Sequence, residues 1–522
     1  MRPPPSLLVF LTVAATCVVL GQRSAMSSPR SLMIDRPTAA LLGANPQSTV
    51  QIAPPTAEEL LGEISSETPL DQLFFTFSQD ARRVAWKEKR GKKWVVVVDG
   101  QAQREYDQIA FFTFSPDGQR LVYAARMGTN WLCVLNGEEG PAFDSVDMPT
   151  FSPDSRHLAY GTKRGKMWVM ILGGQPVGPE VEYSRQPFFR YSKFSPDGQR
   201  LAYPLYSSRK GLTVVLDGKE GPLFDKITGL VFSSGSRRLA YTGVRVKSGW
   251  KEKSLGTVVV ETQEGQVFEG PPPWEASVLA SSLLAKSVLF FEDARFLTSA
   301  SIYLGDPRKL EVSPGGTGVS VPVFSPDGQR IAYAACRGAE DEVMMINGEP
   351  GPRFEAIRTL PVFSPDGEHV AYLAAERKKN AVEVVDGTKV RVVPFRESDN
   401  FAGQVTFSPD GRHLAYVLGD CGAQFIAGKT RQARRRVVLD GTEGKEYDVL
   451  SVSNLRFGPD GRHLAYAVAG ADKAKSFVVL DGLEGKPYDG LYTDSMHFSG
   501  PAEIAYVARE GRRLYRVVQR IP

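Results

Sequence analysis

The apolar positions of this chain fall in short runs such as LVYAA, LAYGT and VVLD, each bounded by Gly, Asp or Pro. Short runs rich in Val, Ile, Leu and Tyr with such boundaries predict β-strands. The runs also come in a fixed order. FSPDGQRLVY at 114–123 returns as FSPDGQRLAY at 194–203 and FSPDGQRIAY at 324–333. FSPDSRHLAY at 151, FSPDGEHVAY at 363, FSPDGRHLAY at 407 and FGPDGRHLAY at 457 are close copies. FSQDARRVAW at 77, FSSGSRRLAY at 232, FFEDARFLTS at 290 and FSGPAEIAYV at 498 are weaker ones.

A second signature follows the first: VVVVDGQAQREYDQI at 95–109, VLNGEEGPAFDSV at 134–146, VVLDGKEGPLFDKI at 214–227, VVLDGTEGKEYDVL at 437–450 and VVLDGLEGKPYDGL at 478–491. One unit therefore reads as four strands. Strand A ends in Phe-Ser, strand B is LAY, strand C is VVLD and strand D is the YDxI stretch. In SPDG, Pro116 presets φ, Asp117 bonds locally and Gly118 accepts the left-handed conformation, which predicts a tight A–B hairpin. Asp99-Gly100 and its equivalents predict the C–D hairpin. The repeated Asp is thus a turn residue rather than a calcium ligand or a catalytic group.

The spacing of the Phe starts is mostly that of a four-stranded propeller blade, about 40–45 residues. The expected fold is all-β, a β-propeller of about eleven four-stranded blades over residues 64–522. Propellers usually hold four to eight blades, so two tandem rings are expected, 63–270 and 271–522, parting near GPPPWEASVLASSLLAK at 270–286. The alternative is one large ring. The last unit stops after strand C, and SETPLDQLFFTFS at 66–78 matches EGPLFDKITGLVFS at 220–233, which is strand D running into strand A. The N-terminal strand is therefore expected to complete the C-terminal blade and to protect both edges.

The FSPDGxxLAY repeat resembles the TolB-type, WD-repeat-like β-propeller family of bacterial envelope proteins. The resemblance implies the fold and, more thinly, a role in envelope complexes. It carries over no partner residues, because only the blade-forming motif matches and propellers host many unrelated functions.

The chain opens MRPPPSLLVFLTVAATCVVLGQ, one Arg before an apolar run from Ser6 to Gly21. Its charge, length and small-residue end predict a secretory signal over 1–21 and an exported, periplasmic or extracellular product. An uncleaved N-terminal anchor is the alternative. Residues 22–62 show no strand pattern and read as a flexible linker. Cys133, Cys336 and Cys421 are odd in number and scattered, so no disulfide framework and no zinc site is expected.

No G-x-S-x-G, Walker loop or dinucleotide fingerprint occurs. His157, His369, His413 and His463 share one repeat slot that holds Arg elsewhere, as in Arg120 and Arg200. A slot that takes either residue is structural. His497 precedes the last strand-A Phe. No catalytic, metal or cofactor residues are therefore assigned. A hydrolase or lyase with a carboxylate-lined axial channel is the enzymatic alternative.

Charge adds the one functional signal. The net charge is only +4, yet every loop between strands B and C is net positive except RGAEDE at 337–342. Strands alternate direction, so the B–C and D–A connections share one face of a ring and the A–B and C–D turns share the other. A basic face and an acidic face follow. The candidate residues are Lys87, Lys89, Arg90, Lys92 and Lys93; Lys163, Arg164 and Lys166; Lys251 and Lys253; and Lys429, Arg431, Arg434, Arg435 and Arg436. A field of one sign over one face steers anionic partners: a protein, an anionic polysaccharide or lipid headgroups. Export and the lack of a binding motif exclude nucleic acid. Trp94, Trp131 and Trp168 open strand C beside these loops, placed for blade packing or for sugar and cation–π contacts. The expected function is a non-enzymatic scaffold that binds an anionic partner through the B–C loops. Docking of a protein on the acidic turn face is a further alternative.

Overall fold

The computed structural model describes residues 52–520 except 54–56, 69–73, 183–187, 208–210, 248–252, 271–318, 339–340, 377–379, 395–400, 420–424, 427–428, 431–432, 450, 470–474 and 502. Arg36–Pro522 forms one compact unit. Its strands build ten antiparallel sheets of the four-stranded blade type. Blade 2 is representative: strand A Gln108–Phe114, B Leu121–Met127, C Asn130–Leu135 and D Glu138–Phe143. Each strand pairs with the next in sequence.

The A–B turn forms as its residues dictate. Ser115 Oγ donates to Asp117 Oδ1 at 2.5 Å and accepts from Arg120 N at 2.9 Å. Gln119 N donates to Asp117 Oδ1 at 3.0 Å. Gly118 sits at φ +70°, a conformation costly for any residue with a Cβ. The C–D turn of blade 1 places Asp99 and Gly100 at φ +49° and +80°, as a two-residue hairpin requires.

The strand-D assignment shifts. In blade 1 strand D is Gln101–Tyr106 and strand A of blade 2 starts at Gln108. Tyr106-Asp107 is thus the end of strand D and the corner, so the YDxI stretch straddles two blades.

The two-ring expectation gives way to a single ring of ten blades. Blade 5 (Lys226–Gly270 as its outer limits) packs directly on blade 6, whose strand A is Val323–Phe324. Ala240 and Val258 of the first share a core with Phe324 and Tyr333 of the second. Thr242 Oγ1 donates to Ser320 O at 2.9 Å across the same boundary. An eleventh sheet has no place between them. The copy at 290 and the expected break at 270–286 fall almost wholly in 271–318, outside the described residues. The ring closes where Val507 and Leu514 of blade 10 share a core with Phe77, Val84 and Trp86 of blade 1. Tyr492 packs 5.0 Å from the rings of both Phe75 and Phe77. A core continuous across both boundaries leaves no edge at which a second ring could separate.

Closure by an N-terminal strand holds, but the strand is a different one. Ala57–Glu63 pairs antiparallel with Arg513–Val518 and completes blade 10. Residues 66–68 form a turn, and 69–73 lie outside the described residues. All but the last residue of the closing strand falls inside the segment 22–62 read as a linker. It is an outer strand, exposed over most of its length, so it carries almost no apolar pattern to betray it. Ile52–Ala53 adds a short parallel strand to the outer edge of blade 9.

Candidate functional site

The ring presents two faces and an inner wall. On the B–C face, several of the described hairpins are capped by the corner of the preceding blade. Asp107 Oδ2 accepts from Gly128 N at 2.7 Å, Asp144 Oδ2 from Gly165 N at 2.6 Å, and Asp489 Oδ2 from Gly511 N at 2.7 Å. Lys93 Nζ meets Asp107 Oδ1 at 2.5 Å, and Lys475 meets Asp489 at 2.6 Å. The Lys93 bond and the Gly128 N–H hold the Asp107 carboxyl below the usual range. These corner carboxylates lie outside the B–C loops, and they temper the basic face.

The candidate cations divide accordingly. Lys89 and Lys92 are exposed and have no carboxylate partner among the described residues. Lys163 lies over Trp168 at 5.9 Å and Arg164 over Phe143 at 4.8 Å, likewise without a carboxylate among the described residues. Lys87 Nζ sits 4.2 Å from the Phe74 ring and 5.0 Å from Trp94. Arg90 pairs with buried Glu88 at 3.0 Å, and Lys166 reaches Glu182 at 3.5 Å. Arg434, Arg435 and Arg436 belong to strand C of blade 8, Ala433–Leu439, rather than to a loop. Arg436 is 1% exposed and pairs with Glu443 at 3.1 Å; Arg434 stands 3.9 Å from Glu446. Lys429 lies in a two-residue strand and Lys253 opens strand C of blade 5. Lys251 and Arg431 lie outside the described residues. Trp168 is buried against Phe189, so blade packing accounts for it. Trp94 and Trp131 remain half-exposed beside the loops.

On the opposite face the Arg/His slot proves to be a blade fastener. Arg83 Nε donates to Asp99 Oδ2 of its own blade at 2.8 Å, and Arg83 Nη1 to Gly118 O of the next at 2.9 Å. Arg200 spans Asp217 at 2.9 Å, Glu261 at 3.2 Å and Arg237 O at 3.0 Å. His369, His413 and His463 keep only the first half, binding Asp386, Asp440 and Asp481 at 2.6–2.8 Å. Asp366, Glu368 and His369 come close enough to hold a cation. Asp366 is already engaged by Ser364 and by Glu368 N, and His369 by Asp386. Turn geometry therefore explains the cluster.

First strands of successive blades approach one another at the hub and form the inner wall. Among the described residues these strands carry two carboxylates, Asp147 of blade 3 and Asp494 of blade 10, and Asp147 is fully buried. They bring no carboxylate pair together on one strand.

One recurring constellation escaped the sequence reading. Near the end of strand D, a Lys or Arg two residues before Tyr joins a Glu of the next blade. Arg104 Nη1 and Tyr106 Oη reach Glu139 at 2.8 and 2.9 Å. Lys445 meets Glu484 at 2.5 Å, and the Tyr447 hydroxyl bonds the same carboxylate. Lys486 meets Glu58 at 3.0 Å, and Tyr488 Oη donates to it as well. Burial and these carboxylates push the three phenols well above their ordinary range. Glu139 of NGEEG in blade 2 and Glu484 of DGLEG in blade 9 are thus clips between blades, not free surface charge. Glu58 of the closing strand supplies the third.

No protein-family model and no curated protein matches the chain. Solved structures do. A eukaryotic initiation factor is 11% identical, with 78% of this chain and 96% of that one covered and a TM-score of 0.41. The Dos1 propeller is 10% identical over 70% and 93%, with a TM-score of 0.30. The β-propeller domain of the trilobed protease from Pyrococcus furiosus is 14% identical over 66% and 96%, with a TM-score of 0.28. Likeness at this level goes as far as the β-propeller fold, which the strand order already establishes.

Proposed function

We propose that this chain is an exported, non-enzymatic β-propeller of the TolB-like kind, a recognition platform in the bacterial envelope that takes an anionic partner on its B–C face. The observation that carries this reading is the set of Lys89, Lys92, Lys163 and Arg164, cations of one face left without carboxylates among the described residues. The fasteners on the other face consume their charges inside the ring, whereas these do not. A rigid ring bearing them steers anions to one side. The test is retention on an immobilised anionic polysaccharide across a salt gradient. The variant Lys89→Gln, Lys92→Gln, Lys163→Gln, Arg164→Gln elutes earlier than the parent, and both elute earlier as salt rises. Identical elution of the two would reject the face as a binding surface.

A further inference from the structure

We infer that the anionic partner is the surface of an anionic lipid bilayer, met by the B–C rim of blades 1–4 with apolar tips inserted between headgroups. This rests on the reading of the B–C face just given and narrows it to one sector and one occupant.

Three exposed large apolar side chains stand on this face, on three consecutive blades. Met127, 37% exposed, is the last residue of strand B in blade 2 and pairs across the hairpin with Asn130. Met167, also 37% exposed, opens strand C of blade 3 opposite Arg164. Tyr206, 36% exposed, lies one residue from the end of strand B in blade 4, opposite Leu212. Strand ends B and strand starts C meet on the same face, so the three tips share a rim. Lys163 and Arg164 flank Met167 in its own hairpin. Lys89 and Lys92 extend the sector into blade 1. Asp107 is paired with Lys93, and Asp144 caps Gly165 N, so these acids temper the charge of the sector without pairing with Lys89, Lys92, Lys163 or Arg164.

The chemistry discriminates among anionic occupants. A polysaccharide uses the cations but leaves Met127 and Met167 idle, since a thioether offers no ring face for a sugar. A protein interface concentrates its apolar residues in a charge-depleted centre. Here each apolar tip sits on a separate hairpin and cations stand among them. Apolar tips on separate hairpins, Met127 with its sulfur 3.9 Å from Arg104 Nη2, set among Lys and Arg match the interfacial zone of a membrane, where apolar groups enter the acyl boundary and cations remain with the headgroups. A row of tips on a rigid rim also suits a deformable surface.

The experiment is vesicle flotation of the chain without residues 1–21, as export would leave it. The vesicles are phosphatidylcholine alone, or phosphatidylcholine with about a quarter phosphatidylglycerol. Two variants run beside the parent: Met127→Ser with Met167→Ser, and the four-cation variant above. Unchanged thermal melting shows that both are folded. The parent floats with the phosphatidylglycerol vesicles and stays behind with phosphatidylcholine. The cation variant loses binding by on the order of a hundred-fold, and the methionine variant by roughly ten-fold. Binding that the methionine substitutions leave unchanged would overturn insertion. Retention on polysaccharide or polyglutamate without flotation would overturn the bilayer while leaving the anion-binding face standing. Failure of every anionic matrix, vesicles included, would remove both.

Discussion

Glu58 offers a sharp test of ring closure. It lies in a segment with no recognisable repeat, yet it meets Lys486 at 3.0 Å and accepts from the buried Tyr488 hydroxyl. Glu58→Ala leaves that hydroxyl without its carboxylate. An unsatisfied buried donor costs about 1–3 kcal/mol, and the half-exposed lysine pair adds about 0–1 kcal/mol. The expected loss is about 2 kcal/mol. Glu139→Ala removes the same clip between blades 1 and 2 and should cost a similar amount. Tyr488→Phe removes donor and demand together, so Glu58→Ala in that background should lose only the lysine contribution, a coupling of about 1–2 kcal/mol.

The assay is urea unfolding of the single and double variants at neutral pH, repeated in acid. Burial works to raise the Glu58 pKa, but the hydrogen bonds from Tyr488 and Lys486 outweigh it and hold the carboxyl below its ordinary 4.5. A carboxylate held below its unfolded value stabilises above that value and loses its effect as pH falls through the folded one. The cost of Glu58→Ala should therefore shrink below about pH 4.5. If Glu139→Ala destabilises and Glu58→Ala does not, residues 57–63 do not close the ring.

Other outcomes follow from the same geometry. Ser115→Ala removes the hub of the SPDG turn and should cost about 1–2 kcal/mol. Ser115 and the Gln119 N–H hold the Asp117 carboxyl below the usual range, and Asp154, Asp197 and Asp327 are held down in the same way; a pH series of melting temperatures should fall steeply below about pH 4. At Gly229, φ +66°, an added Cβ would lie 2.5 Å from Val321 Cγ1. Gly229→Ala should destabilise the blade 5–6 boundary by more than about 2 kcal/mol, and Val321→Ala should recover part of that in chemical unfolding. Cys133 is buried, and burial pushes its thiol up to about 12. It should resist a thiol reagent in the native ring and react once denatured, as peptide mass mapping would show.

The legible parts are those built by neighbours in sequence. FSPDG turns, Asp-Gly hairpins and LAY strands close within a few residues, so each copy announces itself. Outer strands bury little, which is why Ala57–Glu63 passed for linker and the YD corner passed for strand. The basic loops were legible as charge, but Arg434–Arg436 were misplaced because nothing local marks where a loop becomes a strand. Arg436 is countered by Glu443 across the C–D hairpin of the same blade.

Sequence alone determined the blade, its turns and its repetition, because those interactions span a few residues and depend on residue type. Only the tertiary structure decided the number of blades in one ring, the strand that closes it and the charges left exposed. Those depend on partners in the next blade or at the far end of the chain: Arg83 on Gly118 O, Arg104 and Tyr106 on Glu139, Lys486 and Tyr488 on Glu58. A carboxylate that meets a cation from a neighbouring blade holds the ring together, and a cation that meets none is left for something outside it.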